Sequence, residues 1–167
     1  SRRNPDYWSG TIPWIGIQDA KRAHGGWISD TTQKVTPAGV ANSSTRVLPS
    51  RTVCLSRTAS VGYVVIMGQE MATSQDFANW VCGPDLDPEF LQFALLAEGR
   101  DLLKFASGAV HQTIYYPELK ALRICHPSVE RQRALVSELK QVRAESEDLH
   151  RSFESKLGLA VDLRQSL

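Results

Sequence analysis

The spacing of hydrophobic residues changes along the chain and divides it into three parts. Up to residue 82, apolar residues come in short runs rich in β-branched side chains, with polar, glycine-containing stretches between them. Such runs are typical of β-strands joined by turns. We therefore expect strands over residues 12–17, 53–55 and 63–67, and turns at Gly25-Gly26 and over residues 36–39.

A helix and a further strand are predicted between residues 83 and 126. Asp87 can cap free backbone N–H groups, Pro88 suits the first helical position, and Glu89 complements the helix dipole. Apolar residues then follow at helical spacing, namely Phe90, Phe93, Ala94, Ala97 and Leu102. We expect the helix to reach about residue 104, a loop over residues 107–112, and a strand over residues 119–124.

The last part of the chain predicts one long helix that needs a partner. Ser128 can cap it, and residues 129–167 contain no proline and a single glycine. An apolar stripe at heptad-like spacing comprises Leu135, Leu139, Val142, Leu149, Phe153 and Leu157. One helix cannot bury this stripe on itself, so its partner is another part of a longer chain or another subunit. The alternative is a helix that folds back on its own domain.

These patterns predict an α+β fold. An irregular, mostly-β domain with a few helices occupies residues 1–126, and one long C-terminal α-helix occupies residues 127–167. The chain has 167 residues, 42% hydrophobic and 22% charged, which suffices for a sizeable core. This mixture excludes a disordered tail, a collagen-like repeat and a strongly charged nucleic-acid arm.

The distribution of charge changes what the total implies about partners. A net charge of +1 argues at first against a nucleic-acid partner. However, residues 1–60 carry a net charge of +5, residues 61–126 carry −4, and the remainder is neutral. The near-neutral total therefore conceals a basic segment that could face DNA.

The cysteines and the lack of a long apolar run indicate the cellular compartment of the protein. Cys54, Cys82 and Cys125 are widely spaced, with no Cys-x-x-Cys pair and no histidine at metal-ligand intervals, so we expect reduced thiols in a cytoplasmic protein and neither metal nor cofactor. No apolar run approaches the roughly 20 residues of a membrane span, and no membrane partner is expected. The abrupt ends suggest cuts in a longer protein.

Four polar loops combine residue types suited to DNA. Lysine and arginine bind phosphates, whereas glutamine, histidine, serine and threonine can hydrogen-bond to base edges and tryptophan can stack. The candidate DNA-binding residues are Lys21, Arg22, His24 and Trp27; Arg57, Thr58 and Ser60; Ser74 and Gln75; and Ser107, Gly108, His111, Gln112 and Thr113. Each cluster alone is also typical of an ordinary polar loop.

Six short motifs, in order, resemble the specificity subunit of type I restriction-modification enzymes (HsdS-like). They span nearly the whole chain: residues 5–15 with Asp19; residues 47–49 with 55–62; residues 73–77; residues 107–108 with 112–114 and Leu119; residues 124–136; and residues 163–167. The order matches one target-recognition domain followed by its connecting helix. A full subunit of this family has two of each, so the resemblance implies a half-subunit or an excised half.

The resemblance implies a non-catalytic role in a restriction system. Family members bind double-stranded DNA, and each recognition domain reads one half of a bipartite target. Their connecting helices pair in an antiparallel coiled coil, and methyltransferase (modification) subunits dock on them, joined in the full complex by the restriction/translocase subunit. For a chain with one helix, this implies a homodimer or a paired half.

Two alternatives from other classes remain open at this point. Asp85, Glu118 and Lys120 superficially imitate the acid-acid-lysine pattern of Mg²⁺-dependent nucleases. A structural coiled-coil adaptor would use the helix alone and would have no affinity for DNA.

Overall fold

The computed structural model of the chain describes residues 4–58, 60–107 and 112–165. For Arg100, Leu103, Phe105, Ser107 and residues 158–165, only the backbone is described. Gly108 and His111, two of the predicted DNA-binding residues, lie outside the described part.

Short strands dominate the first two-thirds of the chain, and one long helix closes it. The strands are β1 (Trp8–Ile15), β2 (Trp27–Ile28), β3 (Gln33–Val35), β4 (Val47–Leu48), β5 (Val53–Ser56), β6 (Val64–Met67), β7 (Met71–Thr73), β8 (Phe77–Trp80), β9 (Ala106–Ser107) and β10 (Thr113–Ile114). The α-helices are α1 (Ile17–Arg22), α2 (Pro37–Ala41), α3 (Pro88–Glu98), α4 (Tyr116–Ala121) and α5 (Val129–Gln165), with 3₁₀ turns at Pro5–Tyr7 and Gly99–Phe105. The predicted α+β fold is confirmed.

The central sheet, of order β2-β6-β5-β8, has a core on each face. Alternate strand residues point to opposite faces, so Val53, Leu55 and Ile66 pack against helices α3 and α4, where Leu91, Leu95 and Leu119 lie. Cys54, Val65 and Met67 point the other way, toward Ile15 and Ala20 beside the second sheet, of order β3-β1-β7-β4. Burial on both faces explains why these strands are continuous apolar runs in the sequence.

Helix α5 contacts the domain through its first part, from Gln132 to Arg143. Ser128 Oγ accepts a hydrogen bond from the Arg131 backbone N–H at 3.5 Å, as its predicted capping role requires. Gln132 and Val136 are buried. Every residue from 137 to 157 is exposed, so the domain leaves the apolar stripe uncovered along this stretch, although Lys140 and Arg143 still contact Glu89 and Gly25.

Two local predictions differ from the structure. The strand expected over residues 119–124 is wrong: residues 116–121 form α4, with Pro117 in its first turn, and residues 122–124 have no regular secondary structure. Helix α3 begins at the predicted Asp87 cap but ends at Glu98, because Gly99 adopts a φ of 44°. Its buried face carries Leu91, Gln92 and Leu95 rather than the phenylalanines.

The segment expected to be a turn at residues 36–39 begins a short helix. Thr36 Oγ1 accepts from the Gly39 backbone N–H at 3.0 Å, and Pro37 occupies the first helical position. Within the described residues, no helix is both long and apolar enough to cross a membrane.

Candidate nucleic-acid interface

Three of the four predicted DNA-binding loops meet around Arg57, at one end of the central sheet. The Arg57 backbone N–H donates to the Asp76 carbonyl at 2.7 Å, and the Arg57 carbonyl accepts from the Ile114 N–H at 2.9 Å. Thr58 pairs with Thr113 in an antiparallel bridge. The topology thus brings together three segments that are far apart in sequence.

The Arg57 side chain also contacts the other two loops. Its Nη2 donates to the Gln75 carbonyl at 3.0 Å and its Nη1 to the Ile114 carbonyl at 3.4 Å. The guanidinium carbon lies 4.6 Å from the centre of the Tyr116 ring, in a cation–π contact. These contacts engage the guanidinium in holding the loops together, although the sequence suggested a phosphate contact.

Side chains around this junction differ in what they offer to a ligand. Gln75 and Gln112 are exposed. Ser74 is buried, and its hydroxyl donates to Asp76 Oδ2 at 2.9 Å, so it supports the loop from within. Thr58, Ser60 and Thr113 are half-buried, and Ser107 contributes its backbone to β9 opposite Thr113.

The fourth loop, after α1, reaches the same end of the sheet. Strand β2 runs parallel to β6, and the Val64 N–H at the start of β6 donates to His24 Nδ1 at 3.1 Å. The His24 ring also lies edge-on to Tyr63, with 5.5 Å between ring centres. Burial, and secondarily the charge of Arg143, lowers the pKa of His24 and favours the neutral ring that this bond requires.

Lys21 and Arg22 differ in their availability. Lys21 is exposed, and no partner of its side chain is found among the described residues. Arg22 Nη2 pairs with Asp19 Oδ1 at 2.9 Å but is itself largely exposed.

The buried carboxylate of Asp19 accepts several hydrogen bonds close to this loop. Its side chain accepts from the Gly16 N–H at 3.2 Å, the Thr32 N–H at 3.0 Å and the Thr32 hydroxyl at 2.8 Å. Burial raises the pKa of Asp19, but these bonds and the Arg22 contact outweigh it, so the pKa lies below its usual value. The carboxylate therefore ties helix α1 to the segment before β3.

The second half of this loop faces the helices. Trp27 Nε1 donates to Glu89 Oε1 at 3.1 Å, and Gln92 Nε2 donates to the Gly26 carbonyl at 3.1 Å. Arg143 Nη1 on α5 donates to the Gly25 carbonyl at 3.0 Å. Helices α3 and α5 thus both contact the segment formed by residues 25–27.

A cleft beside Gln75 was missed by the sequence reasoning. It encloses about 290 Å³ and is lined by Tyr7, Trp8 and the hydroxyl-bearing residues 43–45, opposite residues 74–76. The run Ser43-Ser44-Thr45 carries the same kind of neutral donors as the predicted loops, and this composition was the available signal.

The predicted pairing residues of α5 are mostly uncovered. Leu139, Val142, Leu149, Phe153 and Leu157 are 43–66% exposed, whereas Leu135 is half-buried. Contiguous apolar surface of this kind is typical of an interaction site.

The residues considered for a nuclease site are poorly arranged for one. Glu118 and Lys120 lie two positions apart on α4, where side chains do not face each other, and Asp85 lies on a different segment, just before α3. Across the described ranges, no group of three or more histidine, cysteine, aspartate or glutamate side chains could hold a metal ion.

Comparison with known proteins places this arrangement in context. A protein-family model described as "Type I restriction modification DNA specificity domain" matches residues 1–157. The chain is 28% identical over 141 residues to the type I restriction enzyme MjaIX specificity subunit of Methanocaldococcus jannaschii, covering 83% of this chain and 33% of that protein. It is 25% identical over 95 residues to the type I restriction enzyme HindI specificity subunit of Haemophilus influenzae, covering 57% and 20%.

Solved structures share the fold. The HsdS subunit from Thermoanaerobacter tengcongensis superposes with a TM-score of 0.65 at 19% identity, covering 86% of this chain and 33% of that one. A chain from a structural study of complex assembly and conformational transition of the type I R-M system gives a TM-score of 0.67, also at 19% identity. The match covers 86% of this chain and 34% of that one. The matched part of the chain thus spans between a fifth and about a third of the length of these proteins.

Proposed function

The chain belongs to the type I restriction modification DNA specificity domain family, and from this premise we propose that it reads one half of a bipartite DNA target without catalysing a reaction. It acts in the cytoplasm, as part of a complex with methyltransferase subunits and, in the full assembly, the restriction/translocase subunit. Residues 1–126 form the target-recognition domain, and residues 127–167 form the connecting helix that docks the methyltransferase.

One observation carries the DNA-binding proposal: loops from four separate parts of the chain converge at one end of the central sheet. They present the exposed amides of Gln75 and Gln112, and Lys21 is exposed in the last turn of α1, just before the fourth loop. Side-chain amides can form paired hydrogen bonds with adenine, whereas lysine fixes the register on phosphates. Arg57 acts beneath these groups as a positioning residue, because its guanidinium binds two loop carbonyls.

The uncovered stripe of α5 supports the second part of the proposal. Leu139, Val142, Leu149 and Phe153 are separated by three, seven and four residues, the spacing of a heptad seam in which Ser146 takes the remaining position. We assign them to an antiparallel coiled coil with a second copy or with the other half of a longer subunit. Pairing of this kind holds two recognition domains at a fixed separation.

The decisive experiment is selection of bound sequences from a random DNA pool by the complete methyltransferase complex. We expect a bipartite sequence, of which this domain specifies one half. The complex with Lys21→Ala should bind the selected DNA more weakly, and the slope of log affinity against log salt should fall by about 1. Lys104→Ala, which removes a lysine already paired with Asp101, is the matched control.

Two outcomes would overturn the proposal. Enrichment of no sequence would favour a structural adaptor, and Mg²⁺-dependent cleavage by the purified chain would favour the nuclease alternative. Unchanged binding with Lys21→Ala would show that the end of α1 and the loop after it are not part of the DNA interface.

A further inference from the structure

Helix α5 is held against the recognition domain at three levels along one face. Gln132 anchors the first level, Lys140 the second and Arg143 the third. These positions are separated by eight and three residues, a spacing that keeps them on the same side of a helix. The apolar stripe through Leu139 and Val142 lies beside this face and remains uncovered.

The first level is a buried amide. Gln132 is fully buried, and its Oε1 accepts from the Asp87 N–H at 2.8 Å. Its Nε2 lies within donor distance of the Asp85 carbonyl at 2.9 Å and the Pro127 carbonyl at 2.8 Å. One side chain thus joins the start of α5 to the start of α3.

The second and third levels connect α5 to the loop after α1. Glu89 Oε1 accepts from Lys140 Nζ at 2.6 Å and from Trp27 Nε1 at 3.1 Å. Burial raises the pKa of Glu89, but the bonds from Lys140 and Trp27 outweigh it and keep the carboxyl ionised. Arg143 binds the Gly25 carbonyl, one residue from His24 at the converging loops.

We propose that Gln132, Lys140 and Arg143 are positioning residues that fix the direction in which α5 leaves the recognition domain, and thereby the separation of the two DNA half-sites. This inference rests on the proposed function and extends it, because it assigns spacing to contacts within this chain rather than to helix length alone. The third contact is to Gly25, in the loop that follows Lys21 and the end of α1, so the clamp fixes the direction of the helix relative to the proposed DNA-binding surface.

The geometry gives the size of the expected effect. Residues 143–165 form a lever of about 33 Å at 1.5 Å per residue. A tilt of about 10° at the clamp moves the far end by about 6 Å, which is about two base-pair steps of 3.4 Å. Loosening the clamp should therefore change the preferred spacer by about one to two base pairs or broaden the accepted range.

The test on DNA uses the complete methyltransferase complex and its selected bipartite target, with spacers lengthened and shortened by up to three base pairs. Lys140→Met should shift or broaden the spacer profile without changing the half-site sequence. Lys140→Arg, which retains the charge, should restore the profile. Arg151→Met removes an ion pair with Asp148 on the exposed part of the same helix and is the control that should leave the profile unchanged.

A second test needs no DNA and separates this inference from the proposed function. Spin labels at Gln69→Cys on the domain and Ser152→Cys on α5, in a chain without its native cysteines, report the direction of the helix as a distance distribution. Lys140→Met should shift or widen this distribution relative to Arg151→Met. An unchanged distribution would overturn the inference even if DNA recognition is confirmed, and so would a changed distribution with an unchanged spacer profile. A wild-type complex that selects no bipartite sequence would overturn the proposed function, and the assignment of spacing with it.

Discussion

Gln132 provides the sharpest test of how the long helix is attached to the domain. Gln132→Met keeps the length of the side chain and removes its amide. The Asp87 N–H is then left buried beside an apolar group, which costs about 1–3 kcal/mol. The Asp85 and Pro127 carbonyls lose a donor but lie in exposed residues, and each contributes about 0.5–1 kcal/mol.

These contributions sum to an expected loss of about 2–5 kcal/mol in the free energy of unfolding. For a chain of this length, the loss corresponds to a fall of about 4–20 °C in Tm. Urea denaturation followed by circular dichroism, together with a thermal scan, measures both quantities.

The matched control is Gln141→Met on the same helix. The Gln141 side chain is exposed and donates only to Glu145 Oε1 among the described residues, so its loss should cost no more than about 0.5 kcal/mol. If Gln132→Met costs less than about 1 kcal/mol, or no more than the control, the amide does not anchor the helix and the reasoning is refuted.

Three further predictions concern the loops and the stripe. Asp19→Asn should cost about 1.5–3 kcal/mol at pH 7. Because the folded pKa of Asp19 is lowered, its contribution is present above the unfolded pKa of about 3.9 and is lost as the pH falls through the folded value. The variant should therefore show a flatter acid limb in unfolding free energy against pH; an unchanged limb would contradict this. Arg57→Lys should weaken DNA binding at every salt concentration without changing the salt slope, because Arg57 positions loops; a slope lower by about 1 would identify it as a phosphate contact. Leu139→Glu combined with Phe153→Glu should give monomers in light scattering, whereas Gln141→Glu should not; a persistent dimer would exclude the proposed seam.

Local sequence signals predicted the features that local chemistry determines. The Asp87-Pro88 start of α3, the Ser128 start of α5 and the strands rich in valine and isoleucine all depend on neighbours within a few residues. The apolar residues 119–124 indicate a strand, whereas the local signal for helix α4 is Pro117, since prolines are frequent in the first turn of a helix.

Long-range contacts explain what the sequence could not indicate. Trp27 has the chemistry of a stacking residue, but its indole N–H is directed to Glu89, 62 positions away. Arg143 reaches the Gly25 carbonyl across 118 positions. Residue type alone likewise could not distinguish an available arginine from Arg57, whose guanidinium is occupied by carbonyls that only the folded topology brings near it. Residue type therefore did not reveal the structural contacts that Trp27 and Arg57 make.

The exposed stretch of α5 from residue 137 to residue 157 has a thermodynamic consequence. Isolated helices in water are marginal, and most helices in proteins are stabilised by packing on a domain. Along this stretch, the stabilising contacts in the described chain include pairs one turn apart, such as Arg143 with Glu147 at 2.9 Å, each contributing about 0.3–0.5 kcal/mol. In the proposed pairing, helix formation and association are consequently one linked equilibrium, in which covering the stripe completes the folding of the helix. Helical content in this segment should rise with protein concentration, and the stability of the chain is then a property of the assembly.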